Sequence, residues 1–126
     1  MLSQLRRRAS EVLLGTHRVV LSTDGPAEIQ VEALRCEALG LSLYVLVPRA
    51  SDLLFNLENT TLAVATADTW QARGATRLLS RDSYPEQLEI ARMPEAAWCE
   101  LVEIRLTRLQ LRPADGKGPV ETLDIC

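Results

Sequence analysis

The sequence predicts a mainly β protein, a closed or partly open antiparallel barrel with short helices plugging its ends. Three observations lead there. Apolar residues recur with a period of two through most of the chain. The strand-like runs cluster in hairpins rather than alternating one by one with helices, as a doubly wound parallel sheet would require. The chain has 126 residues, with 47% hydrophobic and only 4% aromatic side chains. That makes one domain, spanning residues 1–126, with a core of Leu, Val and Ala.

Residues 1–15 hold an N-terminal helix over 2–14. Leu2, Leu5, Ala9, Val12 and Leu13 share one face, Arg7 and Glu11 pair at i,i+4, and Gly15 stops it. The barrel core is predicted over 17–80. His17–Thr23 is rich in β-formers, and Asp24-Gly25-Pro26 is a strong turn signal. Glu28–Cys36 then alternates, with Ile29, Val31 and Ala33 on one face and Glu28, Gln30 and Glu32 on the other. After Gly40, Leu41–Val47 places Leu41, Leu43, Val45 and Val47 together, completing a three-stranded meander.

Pro48 ends that strand, and Ser51 is an N-cap for a short helix over 51–58 that buries Leu53, Leu54 and Leu57. Leu62–Ala67 is a strand whose Ala63, Ala65 and Ala67 leave one face nearly bare. Trp70–Ser80 follows, and Gly74 in its middle predicts a bulge or a close backbone approach. Ser83-Tyr-Pro-Glu86 has the form of a capping box and predicts a helix over 83–93. The C-terminal strands occupy 98–126. Trp98, Val102, Ile104 and Leu106 share a parity that Leu109 and Leu111 break. The slip near Thr107-Arg108 predicts a bulge or a change of sheet partner.

Composition narrows the function. The net charge is −3, which argues against a nucleic-acid binder; the run Arg6–Arg8 reads as a solvated helix face. No apolar run approaches the ~20 residues of a membrane span, and no apolar stretch of signal-peptide length follows Arg8. Cys36, Cys99 and Cys126 are odd in number and lack CxxC spacing, which removes a disulfide framework and a zinc site. Cys36 and Cys99 read as small core residues, and Cys126 as an exposed terminal thiol open to oxidation. A reducing, cytoplasmic setting fits. His17 is the single histidine, which removes most metal chemistry, and it reads as a strand-capping surface residue. Of the basic residues 13 are arginine, and Lys117 is the only lysine.

Four segments, in order and at matching spacing, resemble the FMN-binding split barrels related to pyridoxamine 5′-phosphate oxidase. They are the hairpin His17-Arg-Val-Val-Leu-Ser-Thr-Asp-Gly-Pro26, the strand Leu43-Tyr-Val-Leu-Val, the run from Pro48-Arg-Ala-Ser through Asn56-Leu57 to Leu62-Ala-Val-Ala, and Trp70-Gln-Ala-Arg-Gly74-Ala-Thr-Arg-Leu. The resemblance covers about residues 12–80. It implies a homodimeric split barrel with FMN, or in some branches the deazaflavin F420 or heme, in a groove between the two chains. It implies no fixed catalytic side chain, because the flavin carries the redox chemistry.

Carried onto this chain, the resemblance implies that Arg49 and Ser51 hold the flavin phosphate, that Gln30 hydrogen-bonds the flavin, and that Trp70 lies near the isoalloxazine; the alternative for Trp70 is a tryptophan at the barrel mouth or the dimer interface without a cofactor role. Gln71 and Arg73 lie on the same strand as Trp70 and read as a solvated face. Two features depart from the family pattern. Its lysine falls on Leu53 or Ser51, and its small hydroxyl residue after the hairpin proline falls on Ile29. Asp52, Glu28 and Glu32 add negative charge nearby. At roughly 5 Å and an effective dielectric near 20, each unit of like charge costs a phosphate about 3 kcal/mol. Arg35 further along could turn inward to offset it.

Two functions remain open at this point. One is an FMN-dependent oxidoreductase acting on a small organic substrate. The other is a cofactor-free split-barrel homodimer that binds a small ligand or a partner.

Overall fold

In the computed structural model, which describes residues 2–113 and 116–125, the chain begins with helix α1 (Leu2–Leu14). Strands β1 (Arg18–Thr23), β2 (Gln30–Leu39) and β3 (Ser42–Pro48) follow, then helix α2 (Asp52–Asn59) and strands β4 (Leu62–Thr66) and β5 (Trp70–Leu78). Three short 3₁₀ turns lead to β6 (Cys99–Leu111) and β7 (Glu121–Asp124). All pairings are antiparallel, in the order β3-β2-β1-β4-β5-β6-β7. A further pairing of β3 with β6 closes six strands into a barrel, leaving β7 as an added edge. Closure removes the exposed edges that an open sheet would present.

The length of β6 lets it serve two partners along one edge. Cys99–Arg105 pairs with β3, and Arg108–Leu111 pairs with β7. Where the partner changes, the register against β5 steps from Arg73↔Arg108 to Gly74↔Leu106, so Thr107 has no partner across the ladder. The parity slip in the sequence is this bulge. It lets Val102, Ile104 and Leu106 before it, and Leu109 and Leu111 after it, all reach the interior. Gly74 stands at the step. A β-carbon there would lie 2.4 Å from the Arg105 carbonyl oxygen, so only glycine permits the approach.

The barrel interior is aliphatic apart from Trp70, with Leu21, Leu43, Val45, Ala65, Ile104 and Leu109 among its other buried side chains. Ala63 and Ala65 belong to it, which explains their small size. From α1, Ala9 and Leu13 enter the same core, and the helix ends where the Thr16 hydroxyl donates to the Val12 carbonyl at 2.8 Å. α1 makes no Arg7–Glu11 ion pair among the described residues. Arg8 is the residue engaged, with Glu121 and with the Arg112 carbonyl.

A second cluster coats the outside of β3 and β6, where Tyr44, Leu46, Cys99 and Leu101 pack with Leu79, Leu88 and Ile90. Here the sequence reading needs correcting. Residues 83–93 form no α-helix; Tyr84 is extended, as a residue before proline prefers, and 3₁₀ turns at Arg81–Ser83, Ile90–Arg92 and Pro94–Trp98 replace it. The Glu37 carboxylate accepts the backbone N–H groups of Glu89 (2.8 Å) and Ile90 (2.9 Å). Those donors therefore find a strand side chain instead of a helical carbonyl. Trp98 precedes β6 and is exposed rather than on its inner face. Cys36 and Cys99 are free and buried, and Cys126 lies outside the described residues.

β2 starts at Gln30 and runs to Leu39, not over Glu28–Cys36, with Glu28 before it in the left-handed conformation at φ 65°. Leu34, Cys36 and Ala38 face inward, and a regular strand keeps its parity, so Gln30 and Glu32 share their side. Ile29, Val31 and Ala33 therefore point to solvent.

Candidate functional site

The four residues singled out by the resemblance are not brought together. Ser51 caps α2, its hydroxyl accepting from the Leu53 N–H at 3.0 Å and donating to the Glu32 carboxylate. Gln30 donates to the Ala27 carbonyl at 2.8 Å and lies near Ser51 through Glu32, two residues along the same face of β2. Arg49 turns elsewhere. Its Nε meets Glu100 Oε1 at 2.9 Å and a terminal nitrogen meets the Ala97 carbonyl at 2.9 Å. Trp70 is 1% exposed inside the barrel, with its indole N–H donated to Thr16 Oγ1 at 3.0 Å.

As a cradle for a flavin phosphate this set does not fit. Each of the four has a polar group engaged within the chain, Arg49 and Trp70 away from Ser51, and Glu32 places a carboxylate against the very hydroxyl the phosphate would use. Asp52, at the start of α2, adds a second negative charge. Arg35 does not turn inward to compensate but pairs with Glu95 at 2.7 Å.

Asn56, which the sequence marks only through the Asn56-Leu57 pair of the resemblance, organises this end of the barrel. It is fully buried on α2 among Leu53, Leu54 and Leu57. Its amide oxygen accepts the Ala27 N–H at 2.8 Å, and its amide nitrogen donates to the Glu28 carbonyl at 2.6 Å and to Thr23 Oγ1 at 3.2 Å. The hairpin turn is thereby tied to α2, which fixes where β2 begins and so which of its side chains face out.

What faces out is an open sheet surface. Register aligns two rows across six strands. One runs Val31, Ser22, Val64, Arg73, Arg108, Asp124. The other runs Ala33, Val20, Thr66, Gln71, Gln110, Thr122. The β2 side of the surface is apolar, with Ile29 70%, Leu62 63% and Val31 56% exposed. The β6 side is cationic and amide-rich.

Three concavities indent this surface. One of about 440 Å³ lies over the apolar side, lined by Ser22, Thr23, Asp24, Ile29, Thr60, Leu62, Ala63, Val64 and Arg73. One of about 340 Å³ lies over the polar side, lined by Val64, Gln71, Ala72, Arg73, Arg108 and Gln110. They share Val64 and Arg73. A third, of about 680 Å³, lies where α1 meets the same face and includes Val12, Arg18, Val20, Ala33 and Thr66. Volumes of this size suit small organic ligands. Among the described residues no group of three or more His, Cys, Asp or Glu could hold a metal ion. No described helix is long and apolar enough to cross a membrane.

The sequence reading left Arg73 on a solvated strand face and did not single out Arg108. A signal for both was present. Taking the Gly74 and Thr107 irregularities as two sides of one bulge sets the β5–β6 register, and that register opposes the two arginines.

No family model and no curated protein sequence matches the chain. Solved structures do match it in fold. General stress protein 26 from Bacillus anthracis superposes with a TM-score of 0.69 at 16% identity, over 97% of this chain and 99% of its own. A protein from Clostridium acetobutylicum, related to general stress protein 26 of B. subtilis and of the pyridoxinephosphate oxidase family, gives 0.71 at 12% identity over 97% and 95%. A heme binding protein from Mycobacterium smegmatis gives 0.68 at 13% identity over 94% of this chain and 56% of its own. The chain thus has the split-barrel fold of these proteins.

Proposed function

From that split-barrel fold and its open face, we propose that the protein is a homodimer that binds a small organic ligand where the outer face of β1, β2, β4 and β5 meets a second copy, in the reducing cytoplasm. The single observation that carries this reading is the exposure of Ile29, Val31 and Leu62 on one continuous face beside two adjoining concavities. Apolar side chains gathered this way mark a surface that something covers. A self-complementary contact between two copies covers it with no further partner. The free, buried thiols of Cys36 and Cys99 support the reducing setting.

A second reading, an FMN-dependent oxidoreductase acting on a small organic substrate, is favoured by the fold's company, in particular the neighbour of the pyridoxinephosphate oxidase family. Against it stands the engagement of Arg49, Ser51, Gln30 and Trp70 within the chain. The heme binding neighbour brings heme into the same comparison.

One preparation separates the readings. Sedimentation equilibrium gives the mass, and an absorption spectrum, as purified and after adding FMN, F420 or heme, reports the cofactor. A colourless dimer that takes up none of the three is expected. A mass of one chain sinks the homodimer. A saturable flavin band that is lost when riboflavin replaces FMN brings the oxidoreductase forward in place of the cofactor-free reading.

A further inference from the structure

We infer that Arg73 and Arg108 form an anion subsite, for the phosphate monoester or carboxylate of a small organic ligand whose apolar part rests on Ile29, Leu62 and Val64. The inference takes its location from the open face proposed above, and needs neither the second copy nor a flavin.

Arg73 and Arg108 are directly opposed across β5 and β6, and both line the concavity of about 340 Å³. Like charges directly opposite on a sheet are unfavourable unless something neutralises them. Arg35, Arg49 and Arg77 are held by Glu95, Glu100 and Glu103 at 2.7, 2.9 and 3.2 Å. Arg73 has no side-chain partner among the described residues, and Arg108 has only the exposed Asp124 at 3.9 Å, beyond hydrogen-bond distance.

In a chain of net charge −3, two arginines opposed across neighbouring strands over one concavity, with no carboxylate in hydrogen-bond reach among the described residues, point to an anion from outside. The planar forks suit the paired oxygens of a carboxylate or phosphate, and the opposed amides of Gln71 and Gln110 flank them with further donors. Because Arg73 also lines the apolar concavity, a ligand reaching both must be amphipathic.

The test uses the full chain without added flavin, at constant ionic strength, with inorganic phosphate in one arm and succinate in the other. Thermal melting reads affinity, and sedimentation on the same samples reads mass. We expect a saturable rise in Tm with at least one anion, the responding arm naming the acid group. Arg73→Gln and Arg108→Gln should each weaken the apparent affinity at least tenfold, while Arg77→Gln, which breaks the pair with Glu103, leaves it unchanged. If a glutamine variant fails to fold, Arg73→Lys and Arg108→Lys take its place, keeping the charge and losing the fork, with a severalfold loss expected. No saturable rise in either arm, or equal affinity in the variants, overturns the subsite. Anion binding by a monomer overturns the homodimer alone.

Discussion

The Asn56 amide oxygen accepts the backbone N–H of Ala27 at 2.8 Å, joining the middle of α2 to the turn between β1 and β2. No backbone ladder makes this link, because the turn lies between strands and the helix lies across the barrel end. Removing the side chain takes their partner from the part-buried Ala27 N–H and Glu28 carbonyl and from the buried Thr23 hydroxyl. Each buried polar group so orphaned costs about 1–3 kcal/mol. Asn56→Ala is expected to destabilise the protein by about 3 kcal/mol in urea unfolding. Gly25→Ala should act at the same joint, since its β-carbon would sit 2.8 Å from the Asn56 oxygen. A loss below about 0.5 kcal/mol for Asn56→Ala, the range of ordinary surface changes, would remove Asn56 from this role.

Gly74→Ala is expected to be harsher. The obstruction at 2.4 Å is the Arg105 carbonyl, a backbone atom that cannot rotate away. Either β5 leaves β6, or the bulge at Thr107 moves and carries Leu109 and Leu111 out of the core. The expected loss is at least about 3 kcal/mol, in the range of strained or overpacked core sites. A variant that folds with wild-type amide shifts along β6 would show that the close approach is not required.

Alkaline stability should be set in part by Cys36. Burial first, and the Glu37 charge second, push its thiol up to about 12. Cys99 and Tyr44 are also raised, both mainly by burial. The sign follows from proton counting. Above the unfolded thiol's ordinary value near 9, the unfolded chain has released its proton and the native chain has not, so stability falls with rising pH. The contribution is complete below pH 9 and is lost through about 12. The slope from Cys36 alone is at most about 1.4 kcal/mol per pH unit. Cys36→Ala should flatten the urea midpoint against pH over that window, after a fixed offset for the lost sulfur. An equal slope in both proteins would assign the alkaline loss to other groups.

How far the sequence exposed these features depends on whether each is local. The bulge at Thr107 was legible because a change of parity is written into Ile104, Leu106, Leu109 and Leu111 themselves. Ser51 was legible as a cap because capping needs only its own helix. The direction of Val31 was not, because it depends on the left-handed Glu28, which the hidden Asn56 joint stabilises from another element. The missing helix at 83–93 failed for the same reason. Its capping-box letters are correct, but the donors at Glu89 and Ile90 are taken by Glu37 from a distant strand. The site residues inherited from the resemblance carried residue types but no partners, and partners such as Glu32 and Glu100 decide whether a hydroxyl or a guanidinium is free.

Val31 and Leu62 point outward, so replacing them should not disturb the barrel: Val31→Arg and Leu62→Arg are each expected to keep the wild-type far-UV spectrum and unfold within about 0.5 kcal/mol of wild type once dissociation is accounted for. On the homodimer they should act strongly, because two copies of an introduced charge meet across a twofold contact and must both be desolvated. Sedimentation equilibrium is expected to show the mass falling toward one chain. The control is Phe55, 49% exposed on α2 and absent from the residues that line the three concavities of the sheet face. Phe55→Arg makes a comparable apolar-to-charged change, so a general loss of solubility or association would affect all three variants alike. A mass that falls only for Val31→Arg and Leu62→Arg ties association to the β1-β2-β4-β5 face, whereas a fall for Phe55→Arg alone would move the contact to α2.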